Sequence, residues 1–402
     1  MTLSDGSTIL NDVGATWEFI GGSWILSETA AATGTGFTNR GKILLFSGVT
    51  IFFVNFNSSG TIAIPTGEID FKGSTNSFSG TISGAGALAF DGGGSFELAY
   101  GAKILVKTWY VSGGTLSLGE NITYSGAFGA DGDVTLALNG KNLTLTESAN
   151  LGDANRGVII SGAGVLNVKS ATIDNVLVVG GTARLVVGGA ATLSAWPNAL
   201  VIGDAVATDA AQLAITAGGS LTLTGGSTID LGADPASSIT IAASASNPGA
   251  LAMTGTGTAT VAPTIYNYAS GAGGIEAQSG VFDIQGKVYG TGAATISGSA
   301  TLEFDNTVAA GQSVTLTGSN ETLSLTDLAD FHSKIGGFDT AGSDDALLIG
   351  GGWSFAGASE SATAATLSFA NGSANQTLTL LGDYRGGVFS AQTIGNELKI
   401  TF

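Results

Sequence analysis

The segments Gly86-Ala87-Leu88-Ala89-Phe90, Gly114-Thr115-Leu116-Ser117-Leu118, Gly164-Val165-Leu166-Asn167-Val168 and Gly219-Ser220-Leu221-Thr222-Leu223 repeat one phrase. A glycine opens each, and apolar and small or polar residues then alternate. Alternation at period two describes a strand with one buried face, and the glycines between such strands supply turns. Many strands of four or five residues without intervening helices predict an all-β parallel β-helix, or β-solenoid. Coils of about 20 residues with two or three strands each are expected, wound right-handed and rising about 4.8 Å per coil. The antiparallel sandwich is the rival architecture, but no ladder of Asn-Gly or Asp-Gly hairpins accompanies breaks such as Asn139-Gly140 and Asp131-Gly132.

A longer echo points the same way. Ile-Ser-Gly-Ala-Gly begins at Ile82 and again at Ile160, and Leu-Thr-Leu-Thr begins at Leu143 and at Leu221. Both pairs are 78 residues apart, close to four coils.

Three regions emerge along the chain. Residues 1–60 are rich in aromatic side chains (Trp17, Phe19, Trp24, Phe37, Phe46, Phe52, Phe53, Phe56) and read as capping coils. The spacing Trp17/Phe19 and Ile51/Phe53 places rings on a single strand face, favouring cap or core over a sugar-binding platform. Residues 61–325 form the solenoid body. Residues 326–402 form a β-rich terminating segment, preceded near 326–335 by one or two helical turns with Thr326 as N-cap and Leu328, Phe331 and Ile335 as the apolar stripe.

Composition excludes several functions. Charged residues are only 11% of the 402, while 44% are hydrophobic and 64 are glycine, so the chain is not disordered. The net charge of −18 and the 13 scattered Lys and Arg argue against nucleic-acid binding and against an anionic membrane surface. No 20-residue apolar span exists for membrane insertion, the longest apolar stretch being 43–56, and the N-terminus shows no basic segment followed by an apolar one. The absence of cysteine removes disulfides and thiolate metal sites.

The segment Gly292-Ala293-Ala294-Thr295-Ile296-Ser297-Gly298-Ser299-Ala300-Thr301-Leu302-Glu303-Phe304 is followed by Val314-Thr315-Leu316-Thr317-Gly318, Leu323-Ser324-Leu325, Phe331, Ile335-Gly336-Gly337-Phe338 and Asp345-Ala346-Leu347-Leu348-Ile349. Together they resemble the C-terminal repeats of large secreted bacterial surface proteins, the β-solenoids of adhesins, haemolysin-like proteins and autotransporter passengers. The likeness implies an extracellular or cell-surface protein of bacterial origin, with a matrix or adhesive role and no catalysis. The nine-residue calcium repeats of type I secreted toxins are absent, as is a C-terminal membrane barrel.

Few side chains offer chemistry. His332 is the only histidine and sits beside Phe331, which reads as a packing or surface residue rather than a triad member. Loose carboxylate groups are Asp131 with Asp133, Asp153 with Arg156, and Asp204 with Asp209. Read as solvated turn acids they leave no catalytic residues and no cofactor. Asp339, Asp344 and Asp345 could wrap a calcium ion, a weak site without regular ligand spacing. Thr-x-Thr pairs such as Thr144/Thr146 are sporadic and follow strand propensity. The expectation is a non-enzymatic structural or adhesive rod that self-associates into fibres or a biofilm matrix and contacts a cell surface or extracellular glycan. The alternative is a polysaccharide-binding or polysaccharide-degrading β-helix of tailspike or lyase type, with Trp109, Tyr110 and Trp196 as its candidate aromatics.

Overall fold

A computed structural model describes the chain except residues 1, 4–5, 21–23, 29–34, 180–181, 195–199, 204–209, 233–234, 245, 272 and 339–343. It is a parallel β-solenoid, with about 14 turns among the described residues. The chain divides into two compact units, one built mainly from residues 1–186 and the other mainly from 187–402.

In the first unit each coil has three strand positions. One coil places Gly36–Asn39 first, Lys42–Leu45 second and Val49–Phe53 third. The next repeats them as Asn55–Ser58, Thr61–Ala63 and Glu68–Phe71, every strand parallel to its predecessor. Four coils fuse the second and third strands into one bent strand, as in Thr81–Asp91. Its register slips between Gly84 and Ala87, where the backbone turns a corner. Gly84 sits there at φ +133°, and a Cβ would come within 2.1 Å of the Ile64 carbonyl oxygen. Only glycine fits that corner.

Alternation converts directly into a core. In Ser95–Leu98, Phe96 and Leu98 are fully buried while Ser95 and Glu97 face outward. Parallel pairing at matching register then stacks like on like: Phe37 over Phe56, and Phe52 over Phe71, with ring centroids 5.3 and 5.2 Å apart. This aromatic column continues through Phe78, Phe90 and Phe96 to Trp109, Tyr124 and Phe128. Some polar groups buried in the first coils bond from one coil to the next. Asn11 Nδ2 donates to Asn39 Oδ1 at 2.7 Å, and Asn39 Nδ2 donates to Ser58 Oγ at 2.9 Å.

Not every aromatic near the N-terminus is internal. Phe19, Phe37, Phe52 and Phe56 are buried, but Phe46 and Phe53 are exposed. Ile51 and Phe53 do share one strand face, and it is the outward one, because Phe52 between them points in. The side chain of Trp24 lies outside the described residues.

The second unit repeats the three-position coil with Thr258–Val261, Thr264–Asn267 and Gly274–Ala277, followed by Val281–Ile284, Val288–Gly290 and Ala293–Ile296. Coil length is less uniform than the sequence suggests. Phe37 and Phe56 pair 19 residues apart, whereas Ile229 and Val261 pair 32 apart. The 78-residue echo is no structural period, since Ile82 occupies a second position and Ile160 a first.

Near 326–335 the expected helical turns reduce to a single 3-10 turn, Leu328–Asp330. Its cap is Asp327, whose Oδ1 accepts from Ala329 N at 2.9 Å, while Thr326 donates its hydroxyl to Asp305 instead. Parallel pairing continues beyond this turn where Ala346–Ile349 stacks on Thr322–Leu325 and where Leu380 and Leu381 pair with Ile335 and Gly336. Ser354–Glu360, Ala364–Asn371 and Ala374–Leu381 form an antiparallel meander, and Glu397–Thr401 pairs antiparallel with both Ala346–Ile349 and Ser390–Ile394.

Candidate functional site

The outward positions of the first strand in each coil form straight rows, because parallel coils in register place equivalent residues directly above one another. In the first unit Thr75 pairs with Ser95, Ser95 with Thr115, and Thr115 with Thr135. Thr75 and Ser95 are exposed, and Thr115 and Thr135 are half-buried. Ahead of them, Asn55 Oδ1 accepts from Ser74 Oγ at 2.8 Å and from Thr75 N at 3.0 Å, which fixes its amide along the row. Gly36 lies in register between Thr8 and Asn55 and carries no side chain. The gap opens a shallow trough of about 410 Å³ walled by Thr8, Thr38, Asn55, Asn57, Thr75 and Ser77. Hydroxyls and amides on rigid backbone donate and accept hydrogen bonds without a charge to desolvate. The trough lining contains no nucleophile–base pair.

One ion cluster lies on the third-position face of the same unit. Lys72 Nζ stands 3.2 Å from Asp70 Oδ2 and 2.5 Å from Asp91 Oδ2, the latter on the next coil. Burial pushes the Asp70 carboxyl up to about 6, a rise the bond from Lys72 only partly offsets, and its Oδ1 is buried without a hydrogen-bond partner. The bond to Asp91 in turn raises the Lys72 ammonium. Ile51 and Ala89 flank Asp70 in register, so apolar neighbours surround the acid. The arrangement is an ion clip between two coils. Nothing in the sequence spacing singles it out until the 19-residue offset of Lys72 and Asp91 is known to be one coil.

Of the acids singled out from the sequence, the described ones do not converge. Asp131 accepts a bond from Ser112 Oγ at 2.7 Å, and Asp133 is exposed nearby. Asp153 folds back on its own turn, accepting from the Asn155 and Arg156 amides at 2.7 and 2.9 Å. Asp204 and Asp209 lie outside the described residues. Of the calcium candidates, Asp339 is also outside them, Asp344 is exposed at φ +57°, and Asp345 is fully buried with Oδ1 accepting from Glu321 N at 3.0 Å. Among the described residues no group of three or more potential ligands could hold a metal ion. His332 is exposed. Trp109 is wholly buried against Phe90, Tyr124 and Phe128, its neighbour Tyr110 is exposed, and Trp196 lies outside the described residues. Among the described residues no helix is long and apolar enough to cross a membrane.

Compared with protein-family models, curated proteins and solved structures, the chain matches none.

Proposed function

We propose that the protein is a non-enzymatic, extracellular structural and adhesive solenoid of the bacterial cell surface, whose outer faces make many weak polar contacts and join copies into fibres or matrix. The observation that carries this reading is the in-register row Thr75–Ser95–Thr115–Thr135 beside the uncharged trough. Each hydroxyl contributes little, but groups fixed at coil spacing bind an extended partner together, so avidity accumulates without further ordering entropy. Low charge density supports the same reading, because a surface with few ions sheds its water more readily than a charged one.

Display of the chain on a non-adherent bacterium tests it, with attachment to abiotic and glycan-coated surfaces and cell–cell aggregation as readouts. Attachment or aggregation above the empty display host supports the proposal. Folded protein on the cell surface with neither property, or with depolymerisation of a polysaccharide, overturns it.

A further inference from the structure

Three tyrosines point outward on two neighbouring coils of the second unit. Tyr266 and Tyr289 are register partners, with ring centroids 5.9 Å apart and planes 30° apart. Tyr268 lies two residues beyond Tyr266, on the same side of its strand, and is 43% exposed against 37% for Tyr266. Its ring lies over Gly290, where a Cβ would stand 3.1 Å from Tyr268 Cδ1. The register partner of Tyr266 on the preceding coil is Thr240, and Thr264 precedes Tyr266 on the same strand face.

The backbone beneath the rings is held firmly. Asn267, between Tyr266 and Tyr268 in sequence, is fully buried and donates to Ala293 O at 2.8 Å and to Gln312 Oε1 at 3.0 Å. Gln312 Nε2 donates in return to the carbonyls of Asn267 and Tyr289, at 3.1 and 2.9 Å. The two residues thereby clamp both strands that carry the rings. Half-wet rings on a fixed base lose little freedom on binding, which is what an aromatic ligand platform requires.

We propose that Tyr266, Tyr268 and Tyr289 form a binding platform for the hexopyranose rings of a neutral polysaccharide. A pyranose ring is apolar across its C–H face and polar at its hydroxyl edge, which matches exposed tyrosine faces bordered by Thr264 and Thr291. The net charge of −18 disfavours a polyanionic glycan through long-range repulsion. The platform shares no residue with the hydroxyl row, so its failure and the failure of the adhesive reading are separately visible.

Affinity electrophoresis in gels containing hydroxyethyl cellulose, galactomannan, mixed-linkage β-glucan, dextran or polygalacturonate tests the platform. Retardation by at least one neutral polymer is expected, with affinity falling tenfold or more in the Tyr266→Ala/Tyr289→Ala variant. Since both side chains face outward, circular dichroism of that variant should match the parent, and Tyr268→Ala alone provides a second, milder loss. No retardation by any neutral polymer, unchanged retardation in the variants, or retardation by polygalacturonate alone overturns the assignment.

Discussion

Asn267 and Gln312 stand 45 residues apart in sequence yet exchange hydrogen bonds inside the second unit, Asn267 Nδ2 to Gln312 Oε1 at 3.0 Å and Gln312 Nε2 to the Asn267 carbonyl at 3.1 Å. Removing either partner leaves a buried amide group without its complement. Gln312→Ala should therefore lower stability by about 1–3 kcal/mol, read from chemical denaturation. A loss below a few tenths would mean that water replaces the bond freely.

The aromatic column of the first unit predicts a contrast between an inward and an outward ring. Phe71→Ala, at a fully buried position, should cost about 3–5 kcal/mol. Phe53→Ala, on the outer face, should fall within about 0.5 kcal/mol of the parent. Equal effects in denaturation would contradict the assignment of inward and outward faces.

Corner geometry gives a second contrast. Gly84→Ala meets the Ile64 carbonyl and should destabilise the first unit by more than about 2 kcal/mol. Gly93 also has positive φ but nothing within 4 Å of its Cβ position, so Gly93→Ala should cost only about 1–2 kcal/mol. Thermal melts of the two variants decide this, and a milder Gly84→Ala would remove the close coil approach at the corner.

Stability should fall, not rise, as pH increases through the acid range. Burial raises the Asp70 carboxyl to about 6, and also raises Asp230, Asp283, Glu303 and Glu321. Free carboxyls titrate at about 4. Between that pH and the raised folded values, the native state binds more protons than the unfolded chain, so the slope of unfolding free energy with pH is negative. Melting temperature should decline from about pH 4 to pH 7, and Asp70→Asn should flatten the part of the decline nearest pH 6. A melting temperature that climbs over this range would contradict the buried-acid assignments.

The coil architecture is legible because inside and outside alternate within single strands: Phe96 and Leu98 against Ser95 and Glu97 already state which face is buried. The corner at Gly84 is legible as a break, though not as a bend within one continuous strand. What the sequence conceals is register between coils. Lys72 with Asp91, Tyr266 with Tyr289 and Asn267 with Gln312 become neighbours only once each coil length is known, and register partners among the described residues lie 18 residues apart in one coil and 32 in another. Local chemistry can mislead on a finer scale. Thr326 has the right side chain for a cap, but Asp327 is one residue closer to the turn and its carboxylate reaches the Ala329 amide.

Adhesion measured on the hydroxyl row tests the functional account most directly. Thr75→Lys with Thr115→Lys, two coils apart, adds two charges to the row while leaving the Phe96 and Leu116 layer beneath untouched. Displayed on a non-adherent host at equal surface density, this variant should keep the parent's β-sheet spectrum and lose most of its attachment and aggregation. Attachment equal to that of the parent would contradict the claim that this face makes the contacts.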